Sequence, residues 1–187
     1  MPIPSKREAT YQDVLEAPDH VVAEILDGQL ELSPRPSGKH GRPATRLTVA
    51  LGGFDGDGED SDGPGGWYFL FEPELHFGRQ IVVPDVAAWQ RTRLPDDIDG
   101  PFTQVAPDWA CEVSSPSTAS RDRIVKMRIY HEAGVHWVWI VDPDARSIEV
   151  FERDDTAWRR VAAVEGIDVV RLPPFGALAL KLAGLWR

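Results

Sequence analysis

Hydrophobic and polar positions along the chain follow two periods, one typical of strands and one typical of helices. Near the N-terminus, the pair Asp27-Gly28 separates two runs in which apolar and polar residues alternate. Such a pair between alternating runs predicts a β-hairpin, here over residues 21–33. Alternation places Glu24 on the same face as Leu26, so this glutamate is either an inward carboxylate or an ordinary exposed strand residue.

Further apolar runs have the length and composition of strands. They cover residues 67–71, 74–77, 80–89, 109–113, 136–141, 147–153 and 158–164. The run over residues 80–89 is nearly continuous, which predicts one strand buried on both faces with Pro84 and Asp85 in its middle. Glu112 lies in the strand predicted over residues 109–113, again among apolar neighbours.

Helical signals separate these strands. Residues 10–16 predict a short helix, and residues 37–54 predict a longer one with Pro43 in its first turn, where a missing N–H costs nothing. The third helix follows the Glu112 strand, has about four turns and ends at Gly134, a residue suited to the position after a helix.

The third helix carries three polar residues at helical spacing. Asp122, Lys126 and Tyr130 stand at i, i+4 and i+8, so they lie along one face. A solvated Asp–Lys pair explains this spacing as well as a functional site does. Tyr130 fits a packed residue with a satisfied hydroxyl better than a catalytic group.

Length and composition predict a single domain over residues 1–187, in which residues 1–20 lead into the fold and residues 52–66 form a flexible acidic loop. The spacing in this loop does not match a calcium-binding EF-hand, because Asp60 stands where that loop needs glycine. The sequence has no apolar run typical of a signal peptide or a membrane span, so we expect a cytoplasmic protein without a membrane partner.

The net charge of −10 argues against a protein that coats nucleic acid, because such binding depends on neutralising phosphates. Enzymes that act on nucleic acid through a bound metal are a different class, because the metal supplies positive charge locally. The charge therefore lowers the expectation of nucleic-acid binding without removing it.

The strongest chemical signal combines Asp85, Glu112 and Lys126, with Glu24 as an outlying fourth candidate. A carboxylate in a buried strand needs a cation, a partner or a raised pKa. Two strand-borne carboxylates that meet at one end of adjacent strands can hold Mg²⁺, and a nearby lysine can orient water or stabilise charge. This set suits phosphodiester hydrolysis.

Several motifs resemble a known group. Pro84-Asp85 followed by Glu112-Val113-Ser114 resembles the PD-(D/E)XK signature of restriction-endonuclease-like nucleases, with Ser114 at the lysine position and Lys126 on the following helix as its replacement. The segments E-I-L-D-G-Q-L, V-P-D-V, E-V-S-S-P-S-T, D-R-I-V-K, Y-x-x-A-G-V and W-I-V-D-P resemble, in order, the Uma-two type of bacterial domain.

This resemblance implies an α/β fold with a restriction-endonuclease-like core, in which a mixed central β-sheet is flanked by helices. It implies a Mg²⁺- or Mn²⁺-dependent nuclease site at Glu24, Asp85, Glu112 and Lys126, with Val113 lending a backbone carbonyl to the metal. The implied partner is nucleic acid, DNA rather than RNA, and nucleases of this fold often pair as homodimers. His40 matches a histidine on the first helix of the pattern, although a surface histidine fits equally well.

Other interpretations are weaker. His131 and His136 fall one place too far apart for the zinc-protease helix, and Gly134 interrupts the spacing. Cys111 fits a small buried hydrophobe, and Ser114 lacks the glycines of a hydrolase elbow. A second hypothesis stays open, that of a catalytically idle member acting as a binding or assembly module, because the protein is acidic and its sequence shows no obvious basic groove.

Overall fold

The computed structural model describes residues 7–35, 38–56, 63–115 and 119–186, without the side chains of Lys39 and His40. The helices are α1 (Tyr11–Leu15), α2 (Gly38–Leu51), α3 (Ala119–Arg121) and α4 (Met127–Ala133), with a π-helical segment (Asp122–Lys126) between α3 and α4. The strands are β1 (Val21–Leu26), β2 (Gln29–Pro34), β3 (Trp67–Phe71), β4 (Leu75–Phe77), β5 (Gln80–Val82), β6 (Val86–Gln90), β7 (Trp109–Val113), β8 (Trp137–Asp142), β9 (Ser147–Arg153), β10 (Trp158–Glu165), β11 (Val169–Val170) and β12 (Leu180–Lys181).

A six-stranded sheet in the order β10-β9-β8-β7-β6-β3 forms the centre of the fold. All its neighbouring strands are antiparallel except β7 and β8, which run parallel and are connected by α3, the π-helical segment and α4. These three helical segments are called here the composite helix, Ala119–Ala133. The sheet is therefore mixed, as predicted, and its one parallel pair has the helical crossover that parallel strands require.

Helices cover both faces of this sheet. Cys111 and Trp139 pack in one apolar cluster with Leu47 of α2, whereas Ala110 and Val138 pack in a second cluster with Ile129 of the composite helix. Adjacent strand residues thus alternate between two buried faces, which explains why the central strands are almost continuously apolar. The predicted α/β fold with a flanked mixed sheet is confirmed.

The prediction of one strand over residues 80–89 is wrong. The strand is interrupted at Val83–Asp85. As a result, β5 belongs to a four-stranded sheet in the order β2-β1-β5-β4, and β6 belongs to the six-stranded sheet. Pro84 cannot donate a backbone hydrogen bond, which disfavours a continuous central ladder at this point. The break brings the sheet that carries Glu24 against the end of the sheet that carries Glu112.

Smaller details also differ from the sequence-based expectations. Pro43 lies in the second turn of α2, not the first, because the helix begins at Gly38. Part of the expected acidic loop is structured, since Gly52–Phe54 form a 3₁₀ turn whose Phe54 side chain is buried, while residues 57–62 lie outside the described ranges. Gly134 ends the composite helix with φ of 90°, a conformation that glycine adopts without strain.

No helix within the described ranges combines the length and apolar character needed to cross a bilayer.

Candidate active site

Glu24, Glu112 and Lys126 meet in the interior of the protein. The Lys126 Nζ atom lies 2.7 Å from Oε1 of Glu112 and 3.0 Å from Oε1 of Glu24. All three side chains are almost completely buried. The sequence left open whether Glu24 points inward, and in the structure it does.

The break after β5 fixes this arrangement through its backbone. The Val83 N–H donates a hydrogen bond to Oε1 of Glu24 at 2.8 Å, and the Val83 carbonyl accepts one from Lys126 Nζ at 3.1 Å. One residue between the two sheets therefore holds both the glutamate and the lysine. Each buried charged group has a partner, as burial of charge requires.

Asp85 lies beside this cluster at the beginning of β6. Val86 pairs with Cys111 in the antiparallel register, so Asp85 stands opposite Glu112 one residue beyond the ladder. Its Oδ2 atom accepts a hydrogen bond of 2.7 Å from the Val113 N–H. Asp85 is 9% exposed, compared with 3% for Glu112, so it is the more accessible of the two carboxylates.

Two residues of the composite helix complete the cluster. Asp122 is buried close enough to influence Glu112 and Lys126 electrostatically, and the Tyr130 hydroxyl donates a hydrogen bond to Oε1 of Glu112. The interpretation of Asp122 and Lys126 as a solvated pair is therefore wrong. The i, i+4, i+8 spacing was the signal for this face, and Tyr130 combines the expected packing with a contact to the candidate site.

The helix is π-helical at the point where it faces the cluster. Asp122 and Lys126 mark the two ends of the π-helical segment and are both buried, while Ile124 between them is 68% exposed. Single π turns inside α-helices are frequent at functional sites because they change which side chains face a neighbouring element. In this protein, the π turn has Asp122 and Lys126 at its two ends, and both side chains point into the protein.

The charges of the cluster do not balance. Glu24, Asp85, Glu112 and Asp122 bring four carboxyl groups to one ammonium group, that of Lys126. Burial raises the pKa of Glu112 well above its usual range, and although Lys126 opposes this change, Asp122, Asp85 and Glu24 add to it. Burial disfavours the charged form of Lys126, but Glu112, Glu24 and Asp122 together raise its pKa above the usual value.

The chemistry of these side chains fits a hard divalent cation. The donor atoms are carboxylate oxygens, which Mg²⁺ and Mn²⁺ prefer, and the excess of acidic groups favours a further positive charge. The hydroxyl of Ser114, directly after Val113, is buried and makes no hydrogen bond within the described residues, so a polar partner would satisfy it. Yet no three Asp, Glu, His or Cys side chains in the described ranges already stand in a metal-binding arrangement, and Lys126 contacts two of the glutamates.

Three described residues with charged or reactive side chains, Arg123, Arg128 and Cys111, lie outside this cluster. The side chain of His40 is not among those the structure describes, so its role stays a prediction. Arg123 pairs with Glu149, and Arg128 pairs with Asp27 and Glu132, so these helix arginines have partners on the protein itself. The remaining residue, Cys111, is buried in the sheet, and burial raises the pKa of its thiol, which fits the expected packed hydrophobe.

Comparisons with known proteins agree with this fold. The family model described as "Uma2: Putative restriction endonuclease" matches residues 9–183. A crystal structure described as a "putative nuclease belonging to DUF820" from Anabaena variabilis ATCC 29413 is similar with a TM-score of 0.75 and 21% identity, covering 95% of this chain and 97% of the other. None of the curated protein sequences matches.

Proposed function

Because the chain belongs to the Uma2 family, we propose that it is a metal-dependent nuclease that hydrolyses phosphodiester bonds in nucleic acid. The observation that carries this proposal is the buried contact of Lys126 with Glu112 and Glu24 beside Asp85. Buried charged clusters with an acidic excess are costly to maintain, and they concentrate at functional sites.

The proposed metal ligands are Asp85, Glu112 and the backbone carbonyl of Val113. Mg²⁺ or Mn²⁺ is the proposed ion, in keeping with the oxygen donors. When bound there, a divalent ion supplies charge to polarise the phosphate and lowers the pKa of a water molecule. Asp85 is already oriented by the Val113 N–H, which supports a role for it at the end of β7.

Lys126 is the proposed positioning group for water and a stabiliser of negative charge. Its raised pKa keeps the ammonium protonated throughout the neutral pH range, so it donates hydrogen bonds and does not act as a general base. Glu24 and the Val83 carbonyl hold this ammonium in a fixed direction. Tyr130 fixes the Glu112 carboxyl group through its hydroxyl, which leaves the ring in the apolar core.

DNA is the proposed substrate rather than RNA, in keeping with the description of the family. Association of two copies is proposed to involve β10, which lies at one edge of the six-stranded sheet and, within the described part of the chain, has no strand partner on its outer side.

A nuclease assay with single-stranded and duplex DNA tests the proposal. The native protein should cleave DNA in the presence of Mg²⁺ or Mn²⁺, and addition of EDTA should stop the cleavage. The cleavage rates of Asp85→Ala and Glu112→Ala should each be lower by at least about a hundredfold. Glu132→Ala is the matched control, because Glu132 is an exposed carboxylate whose one side-chain partner among the described residues is Arg128. Equal cleavage by Glu112→Ala and Glu132→Ala would contradict the proposed site.

A catalytically idle binding or assembly module is the second candidate function. It is favoured by the direct pairing of Lys126 with both glutamates and by the almost complete burial of all three side chains. Retained DNA binding without cleavage under any divalent ion would support this module and reject the nuclease.

A further inference from the structure

A cleft of about 840 Å³ opens between the first turns of α2 and the end of β3. Among the described residues, its walls carry the three arginines Arg35, Arg42 and Arg46, together with Phe71 and one acidic residue, Glu72. Positive charge is therefore concentrated here, on a protein whose net charge is −10. A cleft lined by one sign of charge raises the local concentration of ligands of the opposite sign.

The cleft borders the strand end that carries Asp85. Phe71 pairs with Val86 in the β3–β6 ladder, and the Glu72 N–H donates a hydrogen bond of 3.1 Å to the Asp85 carbonyl. The cleft therefore adjoins the backbone of Asp85, the residue with the most exposed carboxylate of the candidate active site.

Arg35 and Arg46 differ in whether their guanidinium groups already bind groups of the protein. Arg35 donates to a Glu72 carboxylate oxygen at 3.1 Å and to the Asp19 carbonyl, which fixes its guanidinium at one wall. Arg46 is exposed and makes no hydrogen bond or ion pair within the described residues. Its guanidinium is therefore available for an anion such as a phosphate.

Phe71 is the second feature of the cleft that can contact a ligand. This large aromatic side chain is 52% exposed at the end of an edge strand, where a polar residue would be expected. Arginines that follow a phosphate backbone, combined with an aromatic ring on which a base stacks, are the features of single-strand binding grooves. A ring reaches the face of a base in a duplex only if two neighbouring base pairs unstack, which costs a few kcal/mol, whereas a single strand offers such faces at lower cost.

Building on the proposed nuclease function, we propose that this cleft binds a single-stranded segment of nucleic acid, with Arg46 contacting a phosphate and Phe71 stacking against an unpaired base. The cleft then holds the strand at the end of the six-stranded sheet where Asp85 lies. The preferred substrate is consequently single-stranded DNA, or duplex DNA with an unpaired end or bubble, rather than a continuous duplex.

Fluorescence anisotropy with a labelled twelve-nucleotide oligothymidine in EDTA measures this binding without cleavage. The native protein should bind the single strand more tightly than a hairpin duplex of the same length. Phe71→Ala should weaken single-strand binding about tenfold, the size expected for loss of one stacked base. Arg46→Ala should weaken it and reduce the slope of log affinity against log salt by about one.

Two matched variants separate a local effect from a general one. Arg79→Ala removes an exposed arginine of equal charge that pairs with Glu8, and Ile167→Ala removes an exposed apolar side chain elsewhere. Both should bind like the native protein. Equal losses in Arg46→Ala and Arg79→Ala, tighter binding of the duplex, or no binding by the native protein would each overturn the proposed cleft.

The same variants distinguish failure of the cleft from failure of the nuclease. Cleavage that proceeds with an unchanged KM in Phe71→Ala and Arg46→Ala rejects the cleft and leaves the nuclease. Single-strand binding that depends on Phe71 and Arg46, without cleavage by the native protein in Mg²⁺ or Mn²⁺, rejects the nuclease and retains the cleft.

Discussion

Lys126 and Glu112 form a buried ion pair in which Nζ and Oε1 are 2.7 Å apart. Glu112 lies in β7 and Lys126 lies in the helix that crosses over to the parallel strand β8, so the pair joins the sheet to its crossover connection. A second contact, of 3.0 Å from Lys126 to Glu24, connects this pair to the four-stranded sheet, because Glu24 lies in β1. The lysine thus links the three parts of the fold that form the candidate site.

Replacement of Lys126 by methionine should be strongly destabilising. The variant leaves Glu24 and Glu112 buried without their cation, and removal of one partner from a buried pair costs about 3–5 kcal/mol. Urea unfolding in EDTA measures this difference.

Arg128→Met is the matched control for this variant. Arg128 pairs with Asp27 and Glu132, but its side chain is 42% exposed, so the loss should be at most about 1 kcal/mol. If both variants lost the same stability, the buried pair would have no special role in the fold.

The raised pKa of Glu112 predicts a pH dependence of stability. A glutamate in an unfolded chain titrates near pH 4.3, whereas burial holds the pKa of Glu112 well above its usual range. The folded protein therefore binds this proton more tightly than the unfolded chain does. The resulting stabilisation is complete below about pH 4 and is lost as the pH rises through the pKa of the folded state.

Glu112→Gln isolates this contribution, because the amide stays neutral at every pH. Relative to the native protein, the variant should gain stability as the pH rises from about 4 to 8 in EDTA. Urea midpoints taken at intervals across this range give the comparison. Parallel curves for the two proteins would mean that Glu112 titrates at its ordinary pKa.

Tyr130→Phe should keep the core but lose the hydrogen bond to Glu112. The ring remains packed, while the buried carboxyl group loses a donor, at an expected cost of about 1–3 kcal/mol. Tyr68→Phe is the control, since the Tyr68 hydroxyl makes no hydrogen bond in the described part of the chain, and it should change stability by less than about 0.5 kcal/mol. Thermal unfolding measures both variants. An equal decrease of the unfolding temperature in Tyr130→Phe and Tyr68→Phe would contradict a stabilising hydrogen bond from Tyr130 to Glu112.

Deletion of Ile124 tests the π-helical segment. Removing one residue from a π turn allows α-helical geometry, which shortens the spacing between Asp122 and Lys126 from four residues to three and shifts the Asp122 carboxyl group relative to the Lys126 ammonium group. Circular dichroism should show an intact helix, and metal-dependent cleavage should fall at least about tenfold. Ile124→Ala, which changes only an exposed side chain, should keep its activity, and full activity in the deletion would rule out a role for Asp122.

The sequence was informative wherever one period dominated. Alternation around Asp27-Gly28 predicted the hairpin, and apolar runs predicted β7 and β8, because both faces of these strands are buried. The same continuity misled at residues 80–89, where apolar residues on either side of Pro84 belong to two different sheets. A buried strand and a buried break between strands have the same composition, so periodicity could not separate them.

For the candidate site, the sequence singled out Asp85, Glu112, Lys126 and Glu24, and the structure brings these residues together. Their catalytic roles stay predictions. The arginine cleft could not be recognised from sequence because its residues come from segments around β2, α2 and β3. Long-range placement of this kind depends on the fold and leaves no local pattern.

Calorimetric titration with Mg²⁺ and Mn²⁺ tests the proposed metal site most directly. The native protein should bind a divalent ion, Asp85→Ala and Glu112→Ala should lose the binding heat, and the surface variant Glu132→Ala should retain it. Cleavage of DNA by the same samples should follow the binding. An unchanged heat in Asp85→Ala and Glu112→Ala, or none in the native protein, would contradict a metal-dependent site at this cluster.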